Sequence, residues 1–378
     1  MTASGLRPTL TRIFEIDNSP RRIVPMEGLR GLAVLLVFFV HYVTLIEPWV
    51  PNTGAAWSIA TATRWAGNSG VDLFFVLSGF LIYGTLIGKR RPLLPYLRRR
   101  IERIYPAFMC LLAVYMLLSF VLPGESKFPP GFGPGTRYLL ANILLLPGLT
   151  AIEPIITVAW SLSYEFFYYL IIPLIIGVLG LRAWPAQRRV ILWVALAVCG
   201  FVYVWNFGGY VRLLMFVSGI LLHDTLRSIP TRHADWLGLG GLVGALVLIT
   251  VIAELGLSPP LRFVVLFAAF YALCYGSFAA LGLTARLFSW TPLRWLGNMS
   301  YSYYLSHGLA LKALFMALGL VVLPQGNHPW LLLSLLPVAV AATLVVSGTL
   351  FILIEKPLSL APHRSRAPLP LPHSVPAP

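Results

Sequence analysis

The chain has 378 residues, of which 58% are hydrophobic and 11% charged, and its mean hydropathy is +0.81. A soluble domain contains about 25% charged residues, so this composition excludes one and indicates a polytopic membrane protein. The net charge of +15 does not indicate nucleic-acid binding, because the basic residues lie in short loops between apolar runs rather than on one soluble surface.

Ten apolar runs are long enough to be membrane-spanning helices. The predicted crossings are 30–48, 70–88, 104–122, 162–181, 189–206, 210–226, 236–254, 261–282, 298–322 and 330–354. A shorter apolar run at 138–149 contains Pro147 and is predicted to be re-entrant or interfacial. With that assignment most of the 28 lysine and arginine residues lie in cytoplasmic loops, and both termini are cytoplasmic.

The predicted organisation is an all-α polytopic membrane protein of about ten transmembrane helices. A polar cytoplasmic segment at 1–24 precedes a transmembrane domain at 25–357. Residues 358–378 are rich in proline and predict a flexible cytoplasmic tail. Metal binding is not expected, because no His, Cys, Asp or Glu residues have metal-ligand spacing. The three cysteines lie in different apolar runs and are predicted to be small buried hydrophobes: Cys110, Cys199 and Cys274.

The first crossing contains Arg30 near its start and His41 eleven residues later. Eleven steps of about 100° return a helix almost to the same azimuth, about 16 Å further along its axis. His41 therefore lies near the middle of the membrane on the face of Arg30. An ionisable side chain at that depth is costly, which indicates a functional role.

The second crossing contains Asp72 near its outer end, with Ser78 and Gly79 deeper. Asp72 is interpreted either as a cap for a helix N-terminus or as part of a site. The Ser78-Gly79 step is equally consistent with a close approach between two helices.

A basic run before the third crossing contains Arg100 and Arg103. Their i, i+3 spacing places two guanidinium groups on one helix face, where they can converge on a phosphate. A basic loop that only sets the membrane orientation accounts for the charge equally well.

The fourth crossing begins with Trp160 and Ser161, followed four residues later by Glu165. Ser161 and Glu165 share one helix face, and His41 is a plausible partner for the carboxylate. A structural ion pair or a protonated glutamate is the alternative. The ninth crossing contains a second histidine, His307, three residues after Tyr304, and a structural role for this histidine is the simpler interpretation.

Taken together, these segments resemble the acyltransferase-3 family of bacterial integral-membrane O-acyltransferases. Six motifs in chain order carry the resemblance: Arg30-x10-His41, Gly70-Val-Asp72-Leu-Phe-Phe-Val-Leu-Ser78-Gly-Phe, Arg100-x-x-Arg103, Trp160-Ser161-Leu-x-x-Glu165, Leu296-Gly-x-x-Ser300-Tyr-x-x-Tyr304-Leu-x-His307, and Ile354-Glu355-Lys356-Pro357. Lys356 stands where arginine is common in the family.

The resemblance implies transfer of an acyl group, usually acetyl, from cytoplasmic acyl-CoA to a hydroxyl of a carbohydrate or another exported molecule. Surface polysaccharides and lipo-oligosaccharides are acceptors of this kind. The family resides in the bacterial cytoplasmic (inner) membrane, with acyl-CoA as a co-substrate and no bound cofactor. Some members end in a soluble extracytoplasmic domain that completes the transfer. Here we expect completion within the membrane or by a separate extracytoplasmic transferase.

The resemblance also assigns residue roles. Catalytic roles fall on His41, Glu165 and Asp72, donor binding on Arg30, Arg100 and Arg103, and supporting roles on Ser161, Trp160, Ser78, Tyr304 and His307. A neutral His41 would accept the proton of the acceptor hydroxyl, with Glu165 or Asp72 orienting the ring. A transient acyl-histidine is the alternative mechanism. A proton-coupled transporter that uses His41, Asp72 and Glu165 as a relay is the alternative function.

Overall fold

The computed structural model of the chain describes residues 10–16, 22–226, 233–255, 259–279 and 282–360. Within these ranges all regular secondary structure is helical and no strand is present. Eight helices of the described part are long and apolar enough to cross a membrane. The predicted all-α polytopic fold is therefore confirmed. Most of the predicted tail and the first nine residues lie outside the described residues.

The helices are numbered in chain order. Their bounds are α1 Val24–Ile46, α2 Gly54–Ile87, α3 Leu93–Val121, α4 Phe132–Ile143, α5 Trp160–Val178, α6 Ala186–Phe207, α7 Leu214–Thr225, α8 Ala234–Leu255, α9 Pro259–Ala279, α10 Leu283–Phe288, α11 Thr291–Asn298, α12 Ser300–Val321, α13 Leu331–Ser334 and α14 Leu336–Leu350. A π-helix at Phe351–Leu360 continues directly from α14. Short 3-10 turns at Thr157–Ala159 and Val211–Leu213 lead into α5 and α7.

Two of the ten predicted crossings differ from the others. The predicted crossing at 210–226 is the 12-residue helix α7, which is too short to span a bilayer alone and is almost entirely buried. The predicted crossing at 236–254 is α8, whose apolar helix within the described part is limited to Ala234–Leu248. The described residues therefore contain eight spanning helices rather than ten.

The predicted re-entrant or interfacial run begins earlier than expected, because α4 covers Phe132–Ile143 and the backbone is irregular from there to α5. Twelve helical residues extend only about 18 Å, well short of a crossing. The irregular segment packs on α5 because Gly148, at φ +95, lies against the Trp160 carbonyl, where a Cβ would come within 2.5 Å. This segment positions the start of α5, which carries Ser161 and Glu165.

The helices α1, α3 and α12 run in the same direction. At one end Asn298, which precedes α12, donates to Glu27 at 3.3 Å, and at the other end the Trp49 indole donates to the Val322 carbonyl at 2.8 Å. The hydroxyl of Tyr301 donates to the Ile104 carbonyl at 2.7 Å, which aligns the early turns of α12 with those of α3. Residues early in these three helices therefore lie at one end of the bundle and later residues toward the other.

Both described ends of the chain lie on the same side of the bundle. The Lys356 ammonium donates to the Arg12 carbonyl at 3.0 Å. Arg294 forms an ion pair with Glu15 at 2.8 Å, which fastens the N-terminal segment to α11. Arg22 also pairs with Glu15, and its carboxylate partners raise the pKa of Arg22. The contacts agree with termini on one side, and the cytoplasmic assignment of that side stays a prediction from the distribution of charge.

Glycines allow α2 and α7 to pack backbone to backbone. A Cβ at Gly79 would lie 2.1 Å from the Phe216 carbonyl oxygen, and one at Gly219 would lie 1.9 Å from that of Val76. Each helix thus lacks a side chain where the other approaches, as small residues do in membrane helix packing. The structural interpretation of the Ser78-Gly79 step holds for Gly79, whereas Ser78 faces a different neighbour.

Candidate active site

A cavity of about 130 Å³ lies toward the N-terminal ends of α1, α3 and α12. We call it the basic cavity. Its polar lining residues are Arg30, Ser78, Arg100, Arg103, Ser161, Glu165, Tyr169, Ser300, Tyr301 and Tyr304. The structure therefore brings together Arg30, Arg100 and Arg103, the three residues predicted to bind the donor. Their role in binding acyl-CoA stays a prediction.

The two arginines of α3 are held by different groups. The Arg100 guanidinium lies 5.3 Å from the Tyr96 ring centroid and 5.1 Å from that of Tyr169, so two aromatic faces hold its plane. Arg103 instead forms an ion pair at 3.2 Å with Glu355 of the π-helix. The i, i+3 spacing thus delivers both guanidinium groups to one cavity, while more distant residues fix their orientation.

Glu355 is a buried carboxylate to which the sequence assigned no role beyond a motif. It is 0% exposed, and its Oε2 accepts hydrogen bonds from the Ser302 amide at 3.0 Å and the Ser302 hydroxyl at 2.6 Å. Its other oxygen faces Arg103. An isolated glutamate at the end of a long apolar run is the signal that could have identified it, because such a residue requires a partner.

Glu165 lies between α2 and α5 in the basic cavity. Its Oε1 accepts a hydrogen bond from Ser78 at 3.4 Å and another from Tyr169. The shared face of Ser161 and Glu165 is confirmed, because both residues line the same cavity. His41 does not line that cavity, so Glu165 has a different set of partners from the histidine proposed for it.

Three polar groups form a hydrogen-bonded cluster at one boundary of the basic cavity. The hydroxyls of Ser161 and Tyr304 lie 2.7 Å apart, and each lies 3.1 Å from the carbonyl oxygen of Val158. All three residues are buried. Ser161 and Tyr304 line the basic cavity, whereas Val158 and the neighbouring Leu305 line a second cavity. We call Val158, Ser161 and Tyr304 the septum.

The second cavity, of about 250 Å³, lies on the far side of the septum, toward the C-terminal ends of α1 and α3. We call it the histidine cavity. Its polar lining residues are His41, Thr44, Tyr115, Ser119, Glu125, Lys127, Thr157 and Lys312. Lys312 pairs with Glu125 at 2.6 Å and lowers the pKa of that carboxyl by hydrogen bonding. Lys127 pairs with Glu153 at 2.7 Å.

His41 is oriented by His307 and not by a carboxylate. The Nδ1 of His41 lies 2.8 Å from the Val37 carbonyl oxygen and 3.3 Å from the Nε2 of His307. His307 is 0% exposed, and its Nδ1 lies 2.9 Å from the Tyr303 carbonyl oxygen. A carbonyl can only accept, so Nδ1 carries the proton in each neutral ring. His41 then keeps an unprotonated Nε2, which is the atom a general base requires.

Asp72 lies apart from both cavities, because neither lining includes it. It is 1% exposed, and its charged neighbour is Arg212 at 3.8 Å. The Arg212 guanidinium stacks on the rings of Trp160 at 5.7 Å and Phe263 at 5.6 Å. The expectation that Asp72 orients His41 is thus not met, since this carboxylate links α2 to the segment before α7. Trp160 takes part in that packing.

Metal-ligating residues do not cluster in the described part of the chain, where no group of three or more His, Cys, Asp or Glu residues could hold an ion. The cysteines differ in exposure: Cys274 is buried, Cys110 is intermediate and Cys199 is exposed. The prediction of three buried cysteines is therefore wrong for Cys199, because α6 lies at the periphery of the bundle with few buried side chains.

A family model described as an acyltransferase domain matches residues 24–352, a range that includes every lining residue of both cavities. No solved structure matches the chain.

Three curated proteins illustrate the similarity. The O-acetyltransferase OatA of Staphylococcus aureus is 26% identical over 323 residues, which cover 76% of this chain and 50% of the relative. The peptidoglycan O-acetyltransferase OatA of Listeria monocytogenes is 24% identical, covering 89% of this chain and 56% of the relative. The acyltransferase MdmB of Streptomyces mycarofaciens is 27% identical, covering 77% and 79%. The chain thus spans about half the length of the two O-acetyltransferases.

Proposed function

The chain belongs to the acyltransferase family, and we propose from this premise that it transfers an acyl group, in the first instance acetyl, from cytoplasmic acyl-CoA to a hydroxyl of an exported carbohydrate. The names of the relatives support an O-acetyltransferase, and one of them names peptidoglycan as its acceptor. The observation that carries the mechanism is His41, whose unprotonated Nε2 adjoins a polar cavity separated by the septum from a cluster of arginines.

The basic cavity supports binding of an anionic donor. Among the described residues, Arg30 and Arg100 have no carboxylate within 4.0 Å, whereas Arg103 is paired with Glu355. Cations in a membrane interior are costly unless a partner neutralises them. The phosphates of acyl-CoA are suitable partners, because guanidinium groups bind phosphate through paired hydrogen bonds.

The histidine cavity supports binding of a hydroxyl-rich acceptor. It combines hydroxyls from Thr44, Tyr115, Ser119 and Thr157 with apolar walls, in a bundle whose other lipid-depth surfaces are largely apolar. Hydroxyl groups donate and accept, so they match the hydroxyls of a sugar. An acceptor seated there has His41 in the lining of its own cavity.

The proposed chemistry moves one proton and one acyl group. The acceptor oxygen attacks the thioester carbonyl carbon while His41 Nε2 takes the proton of that hydroxyl. The C–S bond then breaks, the acyl group stays on the acceptor oxygen, and the thiolate of CoA recovers the proton from the imidazolium. His307 accepts from the Nδ1–H of His41 throughout, which keeps Nε2 directed away from His307. A covalent acyl-histidine would use the same Nε2 as nucleophile.

The septum divides this reaction between two compartments. The charge distribution places the basic cavity toward the cytoplasm, which holds the acyl-CoA pool, and the histidine cavity toward the outside. The thioester must pass Ser161 and Tyr304 to meet the acceptor. We therefore propose a two-sided enzyme whose donor and acceptor reach His41 from opposite faces of the membrane.

Purified protein tests the activity directly. The protein in detergent receives acetyl-CoA and soluble fragments of a cell-surface glycan, and mass spectrometry records acetylated glycan while a thiol reagent records free CoA. We expect both products from the wild type and neither above background from His41→Gln. His328→Gln is the matched control, because His328 lies in a loop outside both cavities. Transport of a glycan into proteoliposomes without any consumption of acetyl-CoA would instead support the transporter.

The acceptor requires a separate experiment in cells. Surface glycans and secreted small molecules of cells with and without this protein are compared by mass spectrometry. We expect acetyl groups on one glycan to disappear with the protein and to return when the wild type, but not His41→Gln, is supplied.

A further inference from the structure

A third cavity, of about 270 Å³, lies where α2 ends and α3 begins. We call it the peripheral cavity. It is lined by Thr85, Arg91, Pro92, Pro95, Tyr96, Arg99 and Arg100. Arg100 also lines the basic cavity, so one guanidinium group borders both spaces. The peripheral cavity thus adjoins the proposed donor site at its cytoplasmic end.

One face of α3 connects the two cavities. Tyr96, Arg99, Arg100 and Arg103 follow at i, i+3, i+4 and i+7, which places them along a single stripe. The step from Arg99 to Arg103 is about 6 Å along the helix axis. Arginine side chains therefore line a continuous path from the start of α3 to the interior of the basic cavity.

The arginines of the peripheral cavity have no acidic partners, in contrast to their neighbour Arg98. Within the described part of the chain, Arg91 and Arg99 form no ion pair and donate no side-chain hydrogen bond. Arg98 points elsewhere and pairs with Glu102 at 2.7 Å. The uncompensated charge is thus confined to the side chains that face the cavity.

Tyr96 provides an independent indication of a ligand. It is 4% exposed, and its hydroxyl is buried without a hydrogen-bond partner among the described residues. A buried hydroxyl without a partner is costly, and it lines the same cavity as Arg91 and Arg99. A ligand with acceptor oxygens would satisfy the hydroxyl and the two guanidinium groups together.

We infer that the peripheral cavity binds the phosphorylated nucleotide end of acyl-CoA, with Arg91 and Arg99 on its 3′-phosphomonoester. The Tyr96 hydroxyl donates to the same end of the donor, and the pantetheine arm passes Arg100 into the basic cavity. This inference rests on the proposed function, because it assumes that acyl-CoA is the donor. An anionic lipid headgroup offers the same phosphate chemistry, so the test must separate the two sources.

The test compares acetyl-CoA with 3′-dephospho-acetyl-CoA. For the wild type we expect removal of the 3′-phosphate to raise KM by at least about tenfold, the effect of losing charged hydrogen bonds to phosphate. For the variant Arg91→Ala/Arg99→Ala we expect KM for acetyl-CoA to rise to nearly the same value, with little further change when the phosphate is absent and with kcat retained. Arg98→Ala is the matched control and should discriminate the two donors like the wild type.

Several results would overturn the inference. A wild type that uses both donors equally well has no 3′-phosphate site. A double variant that still discriminates fully places that site elsewhere. If the double variant changes only with the content of anionic lipid in nanodiscs, the cavity holds a lipid headgroup. Each of these results leaves acyl transfer intact, whereas absence of acyl-CoA turnover and binding in the wild type would overturn the proposed function itself.

Discussion

His41 of α1 and His307 of α12 lie edge to face, with ring centroids 4.9 Å apart and a contact of 3.3 Å between Nδ1 of the first and Nε2 of the second. The backbone carbonyl of Tyr303 fixes the tautomer of His307, and through it that of His41. A histidine usually considered as a lone base is thus the outer member of a pair. The pair replaces the carboxylate that commonly orients a catalytic imidazole.

The two histidines should differ in their kinetic effects. We expect His41→Ala to lower kcat by about 10²–10⁴-fold, the usual contribution of a general base, in a protein that still inserts and folds. His307→Ala should lower kcat less and leave KM for the donor unchanged, because it acts through His41. His307→Gln should recover part of the loss, since its amide oxygen can still accept from His41. Near wild-type turnover in His41→Ala would exclude the base assignment.

The arginines of the basic cavity should control donor affinity. Arg100→Ala and Arg103→Ala should each raise KM for acetyl-CoA, and Arg100→Lys should restore binding only in part, because a lysine lacks the planar fork that stacks between two tyrosines. Binding should also weaken as the salt concentration rises. Normal binding of acetyl-CoA by both alanine variants would reduce the pair to a topological signal.

The buried pair of Glu355 with Arg103 should contribute to stability as a unit. Removing one member of a buried ion pair leaves the other uncompensated and costs about 3–5 kcal/mol. Glu355→Ala should therefore lower the melting temperature in detergent, and Arg103→Gln combined with Glu355→Gln should cost less than the sum of the two single changes. Additive effects on melting temperature would show that the two side chains act independently.

The septum should limit wasteful hydrolysis of the donor. Tyr304→Phe keeps the ring but removes the hydroxyl that bonds to Ser161 and Val158. With that hydrogen bond absent, the thioester should reach water in the histidine cavity more often. We expect release of CoA without acceptor to rise in Tyr304→Phe and in Ser161→Ala. Tyr303→Phe, which loses a hydroxyl bonded to Thr343 away from the septum, is the control and should not change hydrolysis.

Cysteine labelling should report the two-sided access. After replacement of the three native cysteines by alanine, Leu81→Cys probes the basic cavity and Ser119→Cys the histidine cavity. An impermeant thiol reagent should label the first only from the cytoplasm, with protection by CoA, and the second only from outside. Labelling of both from the cytoplasm would indicate acylation before export of the acceptor.

Helical periodicity was sufficient to predict the all-α fold and the meeting of Arg100 with Arg103, because both follow from spacing within one segment. It also placed Ser161 and Glu165 on one face. Partners from distant segments could not be predicted in this way. His307 lies on α12, and no local pattern indicates that it meets His41 rather than packing structurally.

The carboxylates show the same limit. Asp72 and Glu165 were grouped with His41 because an intramembrane charge requires a partner, and the requirement is correct for both. The partner of Asp72 is Arg212, in a short turn before a helix too short to span the bilayer. The hydrogen-bond donors of Glu165 are Ser78 and Tyr169, two hydroxyls that carry no charge in the sequence. Depth in the membrane was predictable, whereas lateral neighbours depend on how the helices pack.

The pairing of Arg103 with Glu355 has a consequence for biosynthesis. The ribosome completes the arginines of α3 long before it reaches the π-helix that holds Glu355, and Ser302, the other ligand of that carboxylate, also precedes it. Through most of translation and membrane insertion, Arg103 therefore lacks its counter-charge. The donor site is the last part of the protein to mature, and an inserted nascent chain cannot acquire a complete site until its final helix has joined the bundle.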